Sequence, residues 1–266
     1  MDGQGQIIWL APDHYREAYT APNYSYTEIV RDGSRYLART KNEMPLVIYE
    51  LQKTFALTMH PGLILKNKIK TGEVTHPGDG SLACITFKTL LATSECLDSS
   101  GDVVTTEIDR SPDSSALNDR REYSDFIAFE TKHFPQKVVF RGGDGHTIEV
   151  DVQQLALVKE VSSDAFKTPP DAMKEPWCAQ PKSDVLLDPS MNPYASLARV
   201  DPKALVYCVI DGNGHARSVT VIRSSKPIKE KDIDAWMRRM RFPSLRCGNE
   251  GIEYQFVIDA SFVPEL

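Results

Sequence analysis

The 266 residues carry a formal charge of -6, which leaves no broad basic surface for phosphates and makes nucleic acid a poor partner. With 41% apolar and 26% charged residues, the composition is that of a folded chain with room for a real core and two domains. No run approaches the ~18 apolar residues that a membrane-crossing helix needs, so no span is expected in this chain.

The opening "MDGQGQIIWLAPD" lacks the basic start, apolar centre and cleavage site of a signal peptide. It enters strand-like "QIIWL" at once, as though cut within a domain. A trimmed export signal and further strands are therefore expected upstream. Residues 3 to 40 read as strand, turn, strand: "GQIIWLAPDHYREAY" breaks at Pro12 and "YSYTEIVRDGSRYLART" at Asp32-Gly33. In "NEMPLVIYELQKTFALT", Met44, Val47, Ile48, Leu51 and Phe55 recur at helical spacing, with Asn42 placed as N-cap and Pro45 in the first turn.

Strands are expected at 82–90, 94–98 and 103–109, with "SSGD" turning between the last two. The polar stretch "SPDSSALNDRREYS" reads as a loop. Two further strands, "QKVVFRG" and "HTIEVDVQQLALV", flank the hairpin signal "GGDG".

A bridge between Cys84 and Cys96, if it forms, implies an oxidising compartment. If 88 pairs with 92 in "LACITFKTLLATSECLD", then Cys84 faces Cys96 at a separation that a disulfide bridges. Two separate buried thiols are the alternative. Cys178 and Cys247 are candidates for a second bridge. Cys208 alternates with Val206 and Ile210 and reads as a free core thiol.

From about 165 to 203 the prolines 169, 170, 176, 181, 189, 193 and 202 punctuate a segment without amphipathic period, a linker or an ordered strap. The domains expected are thus 1–165, a strap at 166–199, and 200–266. The last domain opens with a hairpin, "ALVYCVIDGNGHARSVTVIRSS". In "KPIKEKDIDAWMRRMRF", Ile233, Trp236, Met237 and Met240 share one helical face, and Pro243 and Gly248 stop the helix. The closing run "IEYQFVIDASF" alternates, with Ile252, Tyr254, Phe256, Ile258, Ala260 and Phe262 facing a core, and Glu253, Gln255, Asp259 and Ser261 facing water, Val257 being the one exception. The simplest assembly is a ββαβ unit, and the whole chain reads as α+β, an antiparallel half-barrel sheet with a helix followed by this small module.

No catalytic constellation, metal site or cofactor is expected. His14, His60, His76, His133, His146 and His215 show no ligand spacing, and no nucleophile elbow, phosphate loop or dinucleotide fingerprint occurs. Asp13, Glu17 and Glu28 are candidates for a carboxylate pair, but nothing in their spacing makes them converge.

The order of the last three motifs resembles the C-terminal domain of TonB, the periplasmic energy transducer. "DIDAWMRRMRF" stands where that family has a helix ending in a Trp-Arg-Phe-like motif; Arg241 and Phe242 match, and Met240 replaces the tryptophan. The family's membrane helix and Pro/Lys-rich spacer are not found in this chain. Residues 3 to about 170 are similar to the LolA/LolB/RseB type of periplasmic lipoprotein-handling domain, on "GQIIWLAPDHYREAY", "DGSRYLART", "MPLVIYEL" and "TIEVDVQQLAL".

These resemblances imply a non-enzymatic periplasmic binding protein whose last strand takes up a peptide from an envelope or outer-membrane protein. The expected docking strand is Tyr254, Gln255, Phe256, Val257, Ile258, Asp259, Ala260 and Ser261. Coverage of that edge by the proline-rich strap is the competing reading. A carrier of a lipid or lipoprotein acyl chain in the first domain is the alternative function.

Overall fold

The computed structural model describes residues 2–59, 72–88, 92–109, 118–143, 145–179, 181–183, 204–224, 227 and 229–259. They form a sheet-rich α+β chain of two compact units, Met1–Tyr49 with Val158–Leu266, and Glu50–Leu157.

The first unit opens with four antiparallel strands, β1 (Gln4–Ala11), β2 (His14–Ala21), β3 (Tyr24–Arg31) and β4 (Ser34–Arg39). Aromatic and β-branched residues favour extended backbone, and the turns sit where local chemistry allows them. Asn23, Asp32 and Gly33 all have positive φ, the last two in succession as a two-residue hairpin turn requires. A fifth strand comes from the proline-rich segment: β12 (Met173–Pro176) pairs with β4, Glu175 opposite Arg35.

That pairing is why the domain borders expected at 165 and 199 differ from the compact units. The strap is partly a strand, and Pro176 sits at its last position, where a missing N–H costs little. Strands read together as one half-barrel over 1–165 also fall into two sheets belonging to different units. The helix α1 (Leu46–Met59) begins after Pro45, whose carbonyl accepts from the Ile48 and Tyr49 amides. Asn42 does not cap it, because its Oδ1 accepts from Arg39 Nε at 2.8 Å. Met44, Ile48 and Leu51 are buried as their spacing implies, while the side chain of Phe55 lies outside the described residues.

The second unit holds a seven-stranded antiparallel meander. It comprises β5 (Gly72–Thr75), β6 (Ala83–Lys88), β7 (Ala92–Leu97), β8 (Val103–Asp109), β9 (Asp119–Phe129), β10 (Lys132–Gly142) and β11 (Thr147–Asp151), each paired with its sequence neighbour. Cys84 stands opposite Cys96 with Cα atoms 3.9 Å apart, and the two are bridged. The stretch 111–124 is not all loop, for β9 starts at Asp119 and buries Arg121 completely. Arg121 is charge-paired with the equally buried Glu50 and lies over the Phe140 ring at 5.1 Å. The strand expected at 146–158 ends at Asp151.

The C-terminal part of the first unit is built on β14 (Ala204–Ile210), all seven of whose residues are buried. It lies between β15 (Ala216–Ser224) and β18 (Tyr254–Asp259). In the β14–β15 turn, Asp211 Oδ1 accepts from the Asn213 and His215 amides. Gly214 has φ +79, and a Cβ there would strike the Phe242 carbonyl, so glycine is required. Helix α2 (Glu230–Met237) follows, and Ile233, Met237, Met240 and Phe242 join Val206, Cys208 and Ile210 in one apolar cluster. Each such side chain contributes roughly 1.5–3 kcal/mol on burial.

Between that helix and β18 lies a hairpin that the alternation concealed, β16 (Leu245–Cys247) and β17 (Glu250–Ile252). β16 also pairs with β13 (Lys182–Ser183). The closing run is therefore not one strand from Ile252 onward. Glu253 separates strands of two different sheets, and it is buried rather than solvated.

Candidate functional site

Among the described residues β18 has β14 on one side and no strand on the other, which makes it an edge of its sheet. The register runs from Ile210 opposite Tyr254 to Leu205 opposite Asp259, so the expected docking residues Tyr254 to Asp259 form one continuous strand. Ala260 and Ser261 lie outside the described residues, as do the side chains from Phe256 onward. The strands contributed by the proline-rich segment, β12 and β13, pair with β4 and β16 and not with β18. Residues 184–203 lie outside the described residues.

The root of this edge is gripped by one face of the five-stranded sheet. Side chains alternate along a strand, so cross-strand neighbours share a face. Glu17 stands opposite Glu28, Tyr19 opposite Tyr26, Val30 opposite Arg35 and Tyr26 opposite Arg39. Of the three candidate carboxylates, whose spacing gave no sign of convergence, Glu17 and Glu28 do face each other, and the signal was present: a turn at Pro22-Asn23 pairs every residue with its mirror position, 17 with 28. Asp13, by contrast, sits exposed in the turn before β2.

Glu28 is the best-satisfied charge in the cluster. Its Oε1 accepts from Tyr15 Oη at 2.6 Å, and its Oε2 accepts from Tyr26 Oη at 2.7 Å and from Arg35 Nε and Nη2 at 3.0 and 2.9 Å. Burial opposes its ionisation, but Arg35 and the two hydroxyls outweigh burial and hold it below the ordinary carboxylate value. Arg35 reaches further, donating through Nη1 to Glu175 Oε2 at 3.3 Å and to the Glu253 carbonyl at 2.9 Å.

Glu253 is held on every side. Its amide donates to Glu175 Oε1 at 3.0 Å, and its Oε2 accepts from Arg39 Nη2 at 3.1 Å. Its Oε1 is 2.8 Å from the same Arg39 nitrogen but off the N–H direction, so it is charge-paired without receiving a hydrogen bond. These contacts turn the chain out of β17 and into β18, and they bring residues more than 200 positions apart in sequence together. Tyr254 adds a hydrogen bond from Oη to the Pro243 carbonyl at 2.7 Å.

The acids outnumber the bases here. Glu17, Glu28, Glu175 and Glu253 face Arg35 and Arg39, and the least compensated acids respond. Burial and then Glu28 push Glu17 up to about 7, against a smaller opposing effect of the Tyr19 hydroxyl and Arg35. Burial raises Glu175 as well; the Glu253 amide and Arg35 oppose it, while the Glu253 and Glu28 charges add to it. Tyr15, Tyr19 and Tyr26 are all raised by burial and by these carboxylates, so they stay protonated and donate.

Beside the cluster lies a cavity of about 270 Å³, walled by Tyr15, Tyr26, Trp177 and Tyr254, with Glu28, Arg35, Glu253 and Gln255 supplying polar groups. Cys178 also lines it, and the Cys178–Cys247 bridge ties the chain after β12 to β16, Cα atoms 5.8 Å apart. Cys208 is free and buried. No three His, Cys, Asp or Glu side chains among the described residues are grouped to hold a metal ion. Among those residues no helix is long and apolar enough to cross a membrane.

No protein-family model matches this chain, and neither a curated protein nor a solved structure matches it.

Proposed function

We propose that this is a non-enzymatic, periplasmic binding protein of the bacterial cell envelope. Its TonB-like module at 200–266 takes up an extended segment of an envelope or outer-membrane protein by strand addition on β18, in a role akin to TonB-type transport. The observation that carries the reading is the edge position of β18, whose outward N–H and C=O groups form a template for a visiting strand. The two disulfides agree with an oxidising compartment.

Backbone pairing alone is weak. About three to five hydrogen bonds at ~1 kcal/mol each are largely offset by the cost of association. Affinity therefore has to come from side-chain pockets, and the cavity at Tyr254 and Gln255 adjoins the start of the strand.

Proline substitution tests the reading. Neighbouring residues on a strand point their N–H groups in opposite directions, so of Phe256→Pro and Val257→Pro one removes a bond to β14 and the other an outward donor. Peptides covering the six residues of β18 are titrated against both. The variant that keeps wild-type stability is expected to lose peptide binding, and undiminished binding by that variant overturns strand addition.

A further inference from the structure

The five-stranded sheet of the first unit separates its charges by face. Glu17, Glu28 and Glu175 share one side with Arg35 and Arg39. The alternate residues make the other side, where Arg16, Ile29, Tyr36 and Lys174 stand opposite one another in a row across four strands. No Asp or Glu of any of the five strands falls on that side.

Its cations are unpaired. Among the described residues Arg16, Arg31 and Lys174 have no carboxylate within salt-bridging distance, although the chain as a whole carries -6. Arg16 donates to Gln6 Oε1 at 2.7 Å and Arg31 to Thr168 Oγ1 at 3.1 Å, both neutral acceptors. Arg31 from β3 and Lys174 from β12 flank the Tyr36 ring, 5.6 and 5.8 Å from its centroid. Arg16 Nε and Nη2, Arg31 Nη1 and the Tyr36 hydroxyl make no hydrogen bond within the protein and are open to solvent, and Lys174 is exposed.

One unpaired surface cation is ordinary. Three of them around a free phenol hydroxyl, on a face without acid, form a surface complementary to anionic acceptors. At ~4.8 Å per strand, Arg16 and Lys174 are about 14 Å apart, too far for one carboxylate or phosphate to bridge. One end of the face is overlain, with Phe166 buried against the His14 ring at 4.6 Å and Thr168 on Arg31. That ridge holds off a flat bilayer, whereas an extended chain can lie beside it.

We propose that this face docks an acidic, extended segment of a partner protein. Arg16, Arg31 and Lys174 are its cations, and the Tyr36 hydroxyl is a neutral donor to the same carboxylates. The surface is separate from β18 and does not rest on strand addition.

The test titrates the native, disulfide-bonded protein at low salt with dye-labelled Ser/Glu peptides and their Ser/Gln counterparts, read by anisotropy. The Ser/Glu peptide is expected to bind saturably, and the Ser/Gln peptide about tenfold more weakly or not at all. Lys174→Glu should weaken the Ser/Glu peptide about tenfold, and added salt should weaken it more in wild type than in the variant. Arg238→Glu, a reversal of an exposed cation just beyond α2, should leave binding unchanged. Comparing Glu with Gln peptides leaves the protein unaltered, so a misfolded variant does not blur the result.

Equal binding of the two peptides, no binding of either, or an equal loss in Arg238→Glu overturns the proposal. Binding of phosphatidylglycerol vesicles, lost in Lys174→Glu, with no peptide bound assigns the face to lipid and overturns it as well. No outcome here bears on strand addition at β18.

Discussion

The glutamate facing Glu28 sets a measurable sign on the pH dependence of stability. Glu17 keeps its proton in the folded state up to about 7, against an ordinary value of 4.5 in the unfolded chain. Below 4.5 both states hold the proton and the residue contributes nothing. Between 4.5 and about 7 only the folded state holds it, so stability falls as pH rises, and above about 7 the penalty is complete. At about 1.4 kcal/mol per pH unit, that interval corresponds to about 3 kcal/mol.

Glu17→Gln removes the titration while keeping a carbonyl that accepts from Tyr19 Oη. The variant should gain about 3 kcal/mol over wild type between pH 4.5 and pH 8, a shift of about 1–2 M in the urea midpoint for a domain of this size. Trp9, Trp177 and Trp236 all belong to the first unit, so tryptophan fluorescence during urea unfolding reports that unit alone. A gap between variant and wild type that is flat with pH, or a variant less stable than wild type at pH 8, refutes the argument.

Arg35→Met strips Glu28 of its cation and releases Glu175 and the Glu253 carbonyl. A loss of about 3–5 kcal/mol is expected at pH 7 in the same fluorescence assay. The loss should shrink toward pH 4, because Glu28, with burial no longer offset by Arg35, then takes up a proton on folding. Replacing Cys178 and Cys247 with serine opens a loop spanning 69 residues, and the chain-entropy account gives about 4 kcal/mol lost from the first unit. The Cys84–Cys96 pair, 12 residues apart, is worth about 3 kcal/mol in the second unit, which has no tryptophan and is followed by circular dichroism instead. Cys208 is buried and its thiol is pushed up to about 12, so a thiol reagent should label no cysteine in the native protein and one per chain in denaturant without reductant.

Much of this architecture is legible locally. The Asp32-Gly33 turn, the "DGNG" hairpin, the apolar face of Ile233, Met237 and Met240, and the opposition of Cys84 and Cys96 each depend on residues within a turn or two of one another. Even the meeting of Glu17 and Glu28 follows from the turn at Pro22-Asn23, once mirror positions across an antiparallel hairpin are counted.

Other features have no local signature. The period of two from Ile252 to Phe262 breaks at Val257 alone, so it carries no mark of the change of sheet at Glu253. A charged residue within such a run reads as solvated. Only the tertiary structure, by bringing Arg35 and Arg39 of β4 and Glu175 of β12 onto that residue, buries it and turns the chain. Likewise the proline-rich segment has no amphipathic period, because a four-residue strand at a sheet edge is specified by its partner β4 rather than by its own pattern. Backbone conformation answers to neighbours along the chain, whereas the burial and ionisation of a charge answer to whatever distant groups the fold sets beside it.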